Sequence, residues 1–382
     1  MSAEPRIYYF LGNITSHILH ALPLQKELGG TFIVLSEKAK REVEKYNVPV
    51  ITINNKPRRW TRFGYKIKPV FHYLKIDNDL KKTSDFLNKN ADVVVFYELY
   101  DFSPSVRLTT PKTVFLTHGN MLKDYMAGAN RLQVLEQYDY MAALGPYLKK
   151  EFVDKNGISP NKLVDIGIAR TDEIVKNRGS IVVPKSLLES GDIDPTKPIV
   201  SYLPTYWGAS SIYTVGKEIV RNFPDNYTLL FRPHPQTPAK LLQEYFDIIA
   251  TKPGNIIYAP EGKYKNLGLI ETFEASSAII GDVSSVMLEA ILTDKPLIFA
   301  YDTGANQQDA SDYASISDVV EHSQKITTEN AKKIADILSI SISQGIDRFI
   351  WTQATERNFF DSDGTSVESI ASFIKNLSKE SS

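Results

Sequence analysis

The sequence predicts an α/β protein with two doubly wound domains, and three observations carry that expectation. The chain has 382 residues, roughly twice the length of a typical domain of about 100–200 residues. Short apolar runs alternate with stretches of helical periodicity along its whole length. The alternation breaks once, at a segment rich in turn signals, and then starts again.

In the first half, Ile7–Leu11, Thr31–Leu35, Val48–Ile53, Asp92–Tyr97, Thr113–Thr117, Met141–Leu144 and Leu163–Ile168 read as strands. Their apolar residues are continuous rather than alternating, as in strands covered on both faces of a parallel sheet. Glu37–Tyr46, Leu80–Asn90 and Tyr147–Asn156 read as helices between them. Asn177–Pro198 holds two Pro-bounded stretches and the turn-rich Ser-Gly-Asp-Ile-Asp-Pro, and it reads as a linker. The expected domains are therefore residues 1–180 and 181–364, with a closing helix and tail at 365–382. In the second half Ile199–Leu203, Thr228–Phe231, Ile256–Tyr258, Ala278–Gly281 and Leu297–Ala300 read as strands. Pro238–Thr251, Ser284–Thr293, Glu329–Ser343 and Thr365–Lys379 read as helices. Strands alternating with helices imply right-handed crossovers and one parallel sheet in each half. Two such domains would face each other across a cleft, with a ligand, usually a nucleotide, at the carboxyl ends of the strands.

Composition narrows the chemistry. Hydrophobic residues make up 42% of the chain, with 20 Tyr, 18 Phe and 3 Trp, which excludes disorder as its main state. The absence of Cys excludes disulfides, Cys-ligated zinc, iron–sulfur clusters and thiolate catalysis. No apolar run reaches the roughly 18 residues of a membrane span. Met1–Arg6 leads directly into Ile7–Leu11, without the apolar core of a signal peptide. A soluble, cytoplasmic protein is expected.

The net charge of −1 conceals a split. Residues 1–180 carry 27 Lys and Arg against 19 Asp and Glu, and residues 181–382 carry 17 against 26. Such asymmetry points to an anionic partner for the first half. The cations concentrate in Lys56–Lys68, where Arg58, Arg59 and Arg62 flank Trp60; no acidic residue occurs between Glu44 and Asp77. An anionic lipid surface, a nucleic acid or a polyphosphate polymer would each suit this mixture of cations and aromatics.

Four further segments carry chemistry. In Leu229-Leu-Phe-Arg-Pro-His-Pro-Gln236 an apolar strand runs into Arg232 and His234, each followed by a proline that restricts it. A rigid Arg and an imidazole at a strand end suit a phosphate. In Ala278-Ile-Ile-Gly-Asp-Val-Ser-Ser-Val-Met-Leu-Glu-Ala290 a strand ends and a helix begins, so Ser284, Ser285 and the first-turn N–H groups form an anion site. Glu289, about one turn on, can accept both ribose hydroxyls of a nucleotide. An ordinary N-cap at Asp282 or Ser284, with a solvated Glu289, would look the same in sequence. Third, Val114–Asp124 delivers His118 at the end of a strand, followed by Gly119. A His there has the pKa of a general base. Fourth, Gly12, Asn13 and His17 lie in the loop after the first strand and are candidates for an acceptor wall. His17 and His20 have no neighbouring carboxylate at ligand spacing, so no metal site is expected. GxxxxGK[ST] and GxSxG are absent, which argues against P-loop and α/β-hydrolase chemistry.

Together these segments resemble the CDP-glycerol glycerophosphotransferases, the teichoic-acid primases and polymerases. The resemblance lies in Thr117-His118-Gly119, Tyr202-Leu-Pro-Thr-Tyr-Trp207 and Arg-Pro-His-Pro at 232–235. It continues through Gly281-Asp-Val-Ser-Ser-Val-Met-Leu-Glu289, Lys295-Pro-Leu-Ile-Phe-Ala-Tyr-Asp302 and Phe359-Phe-Asp-Ser-Asp-Gly-Thr-Ser366. The resemblance implies a GT-B fold of two Rossmann-like domains, with the C-terminal helices packing back toward the first. It implies transfer of glycerol phosphate, or a related alditol phosphate, from a CDP-linked donor to a hydroxyl of a polymeric or lipid-linked acceptor. CMP would leave, and no cofactor or nucleic acid is called for. His118 would be the base. Arg232, His234, Ser284 and Ser285 would hold the diphosphate, and Glu289 the ribose. The chain would work at the inner face of the cell membrane, held there peripherally. Thr117 stands where the family usually has Trp, and Asn-Met-Leu-Lys follows His-Gly in place of Thr-Pro-Leu-Lys. A nucleotide-sugar-dependent glycosyltransferase of the same fold is the alternative.

Overall fold

The computed structural model describes residues 5–53, 80–100, 107–117, 134–206, 210–252, 255–260, 262–264, 267–282, 284–300 and 314–380. Arg58, Arg59, Trp60, Arg62, His118 and Gly119 lie outside the described residues. Two compact units are built from them.

The first unit takes the chain as far as Asp172 and again from Phe359 onward. Its sheet comprises β1 (Ile7–Gly12), β2 (Thr31–Val34), β3 (Val50–Thr52), β4 (Val93–Phe96), β5 (Lys112–Phe115), β6 (Tyr140–Ala142) and β7 (Leu163–Val164). Their order is β3-β2-β1-β4-β5-β6-β7, with every pairing parallel. The second unit, Glu173–Asn358, holds β8 (Ile199–Leu203), β9 (Thr228–Phe231), β10 (Ile256–Tyr258), β11 (Ala278–Gly281), β12 (Leu297–Ala300) and β13 (Gln324–Ile326). Their order is β10-β9-β8-β11-β12-β13, again all parallel. Both sheets thus start in the middle and reverse direction once, between β1 and β4 and between β8 and β11. These two reversals are where doubly wound sheets bind ligands.

The continuous apolar runs are buried as expected: β4, β8, β9, β11 and β12 are buried at every position. In the second unit Tyr202, Phe231 and Tyr245 stack successively across this core. Burying each side chain of this size contributes roughly 1.5–3 kcal/mol.

One sequence expectation is corrected and two elements are added. The stretch 177–198 is not a free linker but part of the second unit. Gly179 and Val182 donate backbone hydrogen bonds to Thr293 and Glu274, and Leu187 and Ile193 join a buried cluster with Ile199 and Leu230. Strand β13 went unrecognised because Gln-Lys-Ile is short and polar; its place at a sheet edge tolerates that. The helix Arg348–Asn358 also went unrecognised, because only Trp351, Ala354 and Asn358 are buried while Phe349 is exposed on the same helix.

The last helix, Ser366–Glu380, belongs to the first unit, where it packs on the helix Ile18–Leu28. Its N-terminal donors are satisfied from far away in sequence. The Asp172 carboxylate accepts the N–H groups of Ser366 at 3.0 Å and Val367 at 2.9 Å. Just before it, Gly167 N–H donates to Asp361 at 2.9 Å, and Phe360 N–H to the Leu144 carbonyl at 2.7 Å. A Cβ on Gly167 would lie 2.5 Å from both the Phe360 carbonyl oxygen and Ser366 Oγ. Among the described residues no helix is long and apolar enough to cross a membrane.

Two outcomes follow. Gly167→Ala and Asp172→Ala should each lower stability by about 1–3 kcal/mol, measured by denaturant unfolding, through overpacking in one case and loss of the helix cap in the other. Burial also pushes the phenols of Tyr9, Tyr97, Tyr202 and Tyr245 above their ordinary ionisation range. Their folded values exceed the unfolded value of about 10, so their contribution is intact below pH ~10 and is lost as pH rises beyond it. Ultraviolet phenolate absorbance should therefore show part of the tyrosine signal appearing only together with the loss of circular dichroism. A complete tyrosine titration in the still-folded protein would contradict this.

Candidate functional site

At the reversal point of the second sheet, three neighbouring strands bring their carboxyl ends together. β9 leads into Arg232-Pro-His234, β8 into Pro204-Thr-Tyr206, and β11 into Asp282. Everything polar here follows a strand too apolar to carry it.

Asp282 is the centre of the arrangement and is fully buried. Its Oδ1 accepts the Thr205 N–H at 2.9 Å. Its Oδ2 accepts Ser210 Oγ–H at 2.6 Å, Ser211 N–H at 2.8 Å and Ser211 Oγ–H at 2.7 Å. Burial pushes this carboxyl above the usual range, and the hydrogen bonds from the two serines and Thr205 oppose that. The chain leaving β8 is thereby tied at both Thr205 and Ser210–Ser211. Below it, Tyr202 Oη and Ser211 Oγ lie 2.8 Å apart, and Tyr245 Oη donates to the Ile212 carbonyl at 2.7 Å.

Ser284, not Asp282, caps the helix Ser285–Ala290: with φ of −151°, its Oγ accepts the Val286 N–H at 3.1 Å. Ser285 opens that helix. Glu289 is fully buried in it, which sets aside a solvated helix position.

The Arg-Pro-His-Pro turn sits beside this. Arg232 N–H donates to the Tyr202 carbonyl, extending the β8–β9 ladder by one residue, and its Nη1 donates to the Leu267 carbonyl at 3.0 Å. The guanidinium is thus oriented by the protein before any ligand arrives. His234 stacks on the Tyr206 ring, with centroids 4.2 Å apart and planes inclined by 27°. Its Nδ1 accepts the Gln236 N–H at 3.1 Å. An accepting Nδ1 carries no proton, so the neutral ring is protonated at Nε2 and offers an N–H there. Burial lowers its pKa below the ordinary 6.5, which keeps it neutral at neutral pH. The neutral His234 ring therefore offers an N–H at Nε2.

In the first unit the corresponding reversal carries a different set. Gly12, at the end of β1, has φ of +57°, and a Cβ there would lie 1.8 Å from Tyr100 Oη. The glycine makes room for Tyr100, whose hydroxyl donates to the Leu11 carbonyl at 3.1 Å. Asn13 is exposed beyond it. His17 and His20 are buried with rings 6.2 Å apart, and His20 Nε2 accepts from Arg170 Nη1 at 3.0 Å. After β5, Thr117 is buried with φ of +61°, an unfavourable backbone for a β-branched residue. It immediately precedes His118.

The sequence singled out Arg232, His234, Ser284, Ser285 and Glu289, and the fold gathers these within one unit. It offered Asp282 only as an alternative N-cap and gave no role to Tyr206, Ser210 or Ser211. The apolar strand ending in Gly281-Asp282 was a visible signal, but the partners of Asp282 lie 71–77 residues away.

The family described as CDP-Glycerol:Poly(glycerophosphate) glycerophosphotransferase matches residues 75–375. The chain is 22% identical over 227 residues to the teichoic acid glycerol-phosphate transferase of Staphylococcus aureus (strain NCTC 8325 / PS 47), covering 52% of this chain and 55% of that protein. It is 25% identical over 181 residues to the teichoic acid glycerol-phosphate primase of Bacillus subtilis (strain 168), covering 46% and 43%. The chain spans about half the length of these curated relatives. Among solved structures, the wall teichoic acid polymerase TagF, in a variant soaked with CDPG, superposes with a TM-score of 0.59 at 16% identity, over 99% of this chain and 90% of that one. MurG of Acinetobacter baumannii does so with 0.53 at 12%, over 97% and 100%. A putative UDP-N-acetylglucosamine 2-epimerase from Listeria monocytogenes reaches 0.62 at 13%, over 99% and 98%. At such identities the likeness is one of fold, the α/β fold of GT-B glycosyltransferases. The match at residues 75–375 includes every segment that builds the site of the second unit, and with it the chain belongs to the CDP-glycerol:poly(glycerophosphate) glycerophosphotransferase family.

Proposed function

We propose that this chain transfers glycerol phosphate, or a related alditol phosphate, from a CDP-linked donor to a hydroxyl of a teichoic-acid-type acceptor, releasing CMP. The observation that carries the proposal is the gathering, at one strand-order reversal, of an oriented guanidinium, an imidazole Nε2–H and the Ser284-capped helix start. These are donors for a diphosphate, held in a family that uses CDP-glycerol.

In the proposed reaction the acceptor oxygen attacks the phosphorus that bears the glycerol. The bond from that phosphorus to the bridging oxygen breaks, and the electron pair leaves with CMP. The acceptor proton passes to His118, whose unperturbed pKa near 6.5 suits a general base. Negative charge grows on the phosphoryl and bridging oxygens. Arg232 and the His234 Nε2–H face that charge already oriented, so they stabilise it with little reorganisation. Ser284 and Ser285 add donors at the helix start, and Glu289 takes the ribose, for which its carboxylate must become accessible as the nucleotide enters. Gly119 follows the base in sequence. Gly12, Asn13 and His17 belong to the acceptor side. What supports a functional role for this segment is the left-handed backbone of Thr117, since strained residues cluster at functional sites. The two halves of this assignment, residues 1–180 for the acceptor and 181–364 for the donor, are part of the same proposal.

The enzyme works at the inner face of the membrane, where Arg58, Arg59, Trp60 and Arg62 meet anionic lipid. Each cation contributes about 1 kcal/mol at such a surface.

A panel of CDP- and UDP-linked donors should yield CMP from CDP-glycerol or a related CDP-alditol; UDP as the product would make the protein a sugar transferase instead. His118→Ala and His234→Ala should each reduce turnover by at least about 10²-fold with circular dichroism unchanged. Reversing Arg58, Arg59 and Arg62 to Glu should abolish sedimentation with anionic vesicles. It should lower turnover on a lipid-linked acceptor and spare a short soluble one. Vesicle binding that survives the reversal would refute the membrane contact.

A further inference from the structure

Asp282 is fully buried at the reversal point and accepts hydrogen bonds from Thr205, Ser210 and Ser211. A buried carboxylate with this many donors is costly to assemble and strongly directional once assembled. Its bonds are not to its own loop but to the two ends of the loop from β8. The first end is Thr205, and the next residue, Tyr206, stacks on His234. The other end is closed by Ser210 Oγ, which lies 2.6 Å from the Thr205 carbonyl as well as 2.6 Å from Asp282. The β9 turn is held to the same loop, because His234 N–H donates to the Pro204 carbonyl at 3.3 Å. Pro204, Thr205 and Tyr206 therefore form a short bridge between Asp282 and the imidazole.

We propose that Asp282 is a positioning residue, acting through Thr205 and Tyr206 to hold the His234 ring with its Nε2–H aimed at the donor diphosphate. The last part rests on the function proposed above. The first part, control of the ring by Asp282, does not. Tyr206 covers one face of the imidazole, so it fixes the ring plane and excludes water. Gln236 N–H fixes which nitrogen carries the proton. Loss of the Asp282 clamp frees the Thr205–Tyr206 segment, uncovers the ring and lets the histidine titrate as an exposed one does.

The test is an imidazole NMR titration of the ligand-free full chain, which has six histidines, with the His234 signal assigned through His234→Gln. In the native protein His234 should show the Nε2–H tautomer and a pKa below 6.5. In Asp282→Asn the amide cannot accept from both Ser211 groups and Ser210, so the His234 pKa should rise toward the ordinary value. Ser210→Ala, which removes one hydroxyl from the clamp, should shift it in the same direction by less. Tyr206→Leu should reproduce the full shift with the clamp intact. CDP-glycerol kinetics should then show a donor KM raised about tenfold in Asp282→Asn, with kcat changed less. A folded Asp282→Asn with an unmoved His234 titration would overturn the proposal. Should that variant fail to fold, an unmoved His234 in Ser210→Ala overturns it equally. Failure of the donor assignment is separate: native protein that binds neither CDP-glycerol nor CMP would refute that assignment, whatever His234 does in the titration.

Discussion

A strand covered on both faces leaves charged side chains to its ends, and this constraint shapes both sheets. β4, β8, β9, β11 and β12 present no exposed position along their length. Polar chemistry is displaced into the residues that follow them: Tyr97, Pro204–Tyr206, Arg232–His234 and Asp282–Ser284. Because all strands in a sheet are parallel, these residues emerge on the same edge. Because the strand order reverses once, the three runs of the second unit converge there. The site is a consequence of where an apolar sheet can tolerate polarity.

The two units treat buried imidazoles in opposite ways. His234 accepts a backbone N–H at Nδ1, leaving its proton on Nε2. His20 accepts from Arg170 at Nε2, leaving its proton on Nδ1. Each ring accepts from a donor that cannot itself accept, so the two contacts select opposite tautomers of the neutral imidazole. An unrestrained histidine would sample both tautomers and, near pH 6.5, a cation as well.

Much of this was legible in sequence because the signals are local. Continuous runs such as Thr228–Phe231 and Ala278–Gly281 gave the strands, and Arg232-Pro-His234 announced itself through the prolines. What escaped was of two kinds. Short edge elements such as Gln324–Ile326 carry too few apolar residues to stand out. Long-range partnerships leave no periodic trace: Asp282 looks like a helix cap beside Ser284 until its bonds to Thr205 and Ser211 are seen. Asn177–Pro198 illustrates a third difficulty, since turn-rich composition marks irregular backbone without saying whether that backbone is free or packed.

The return of Phe359–Glu380 to the first unit makes that unit discontinuous, and this bears on how the chain is made. Asp172 waits for Ser366 and Val367, 194 and 195 residues further along. During synthesis the first sheet emerges early, but the face that receives the last helix stays uncovered until the whole second unit has been translated. The helix Ile18–Leu28 lacks the cover of Ser366–Glu380 in that interval. Glu173–Asn358, by contrast, supplies all six strands of the second sheet from one uninterrupted stretch. The half whose first strands are made early is thus completed only after Ser366–Glu380 has followed the second unit.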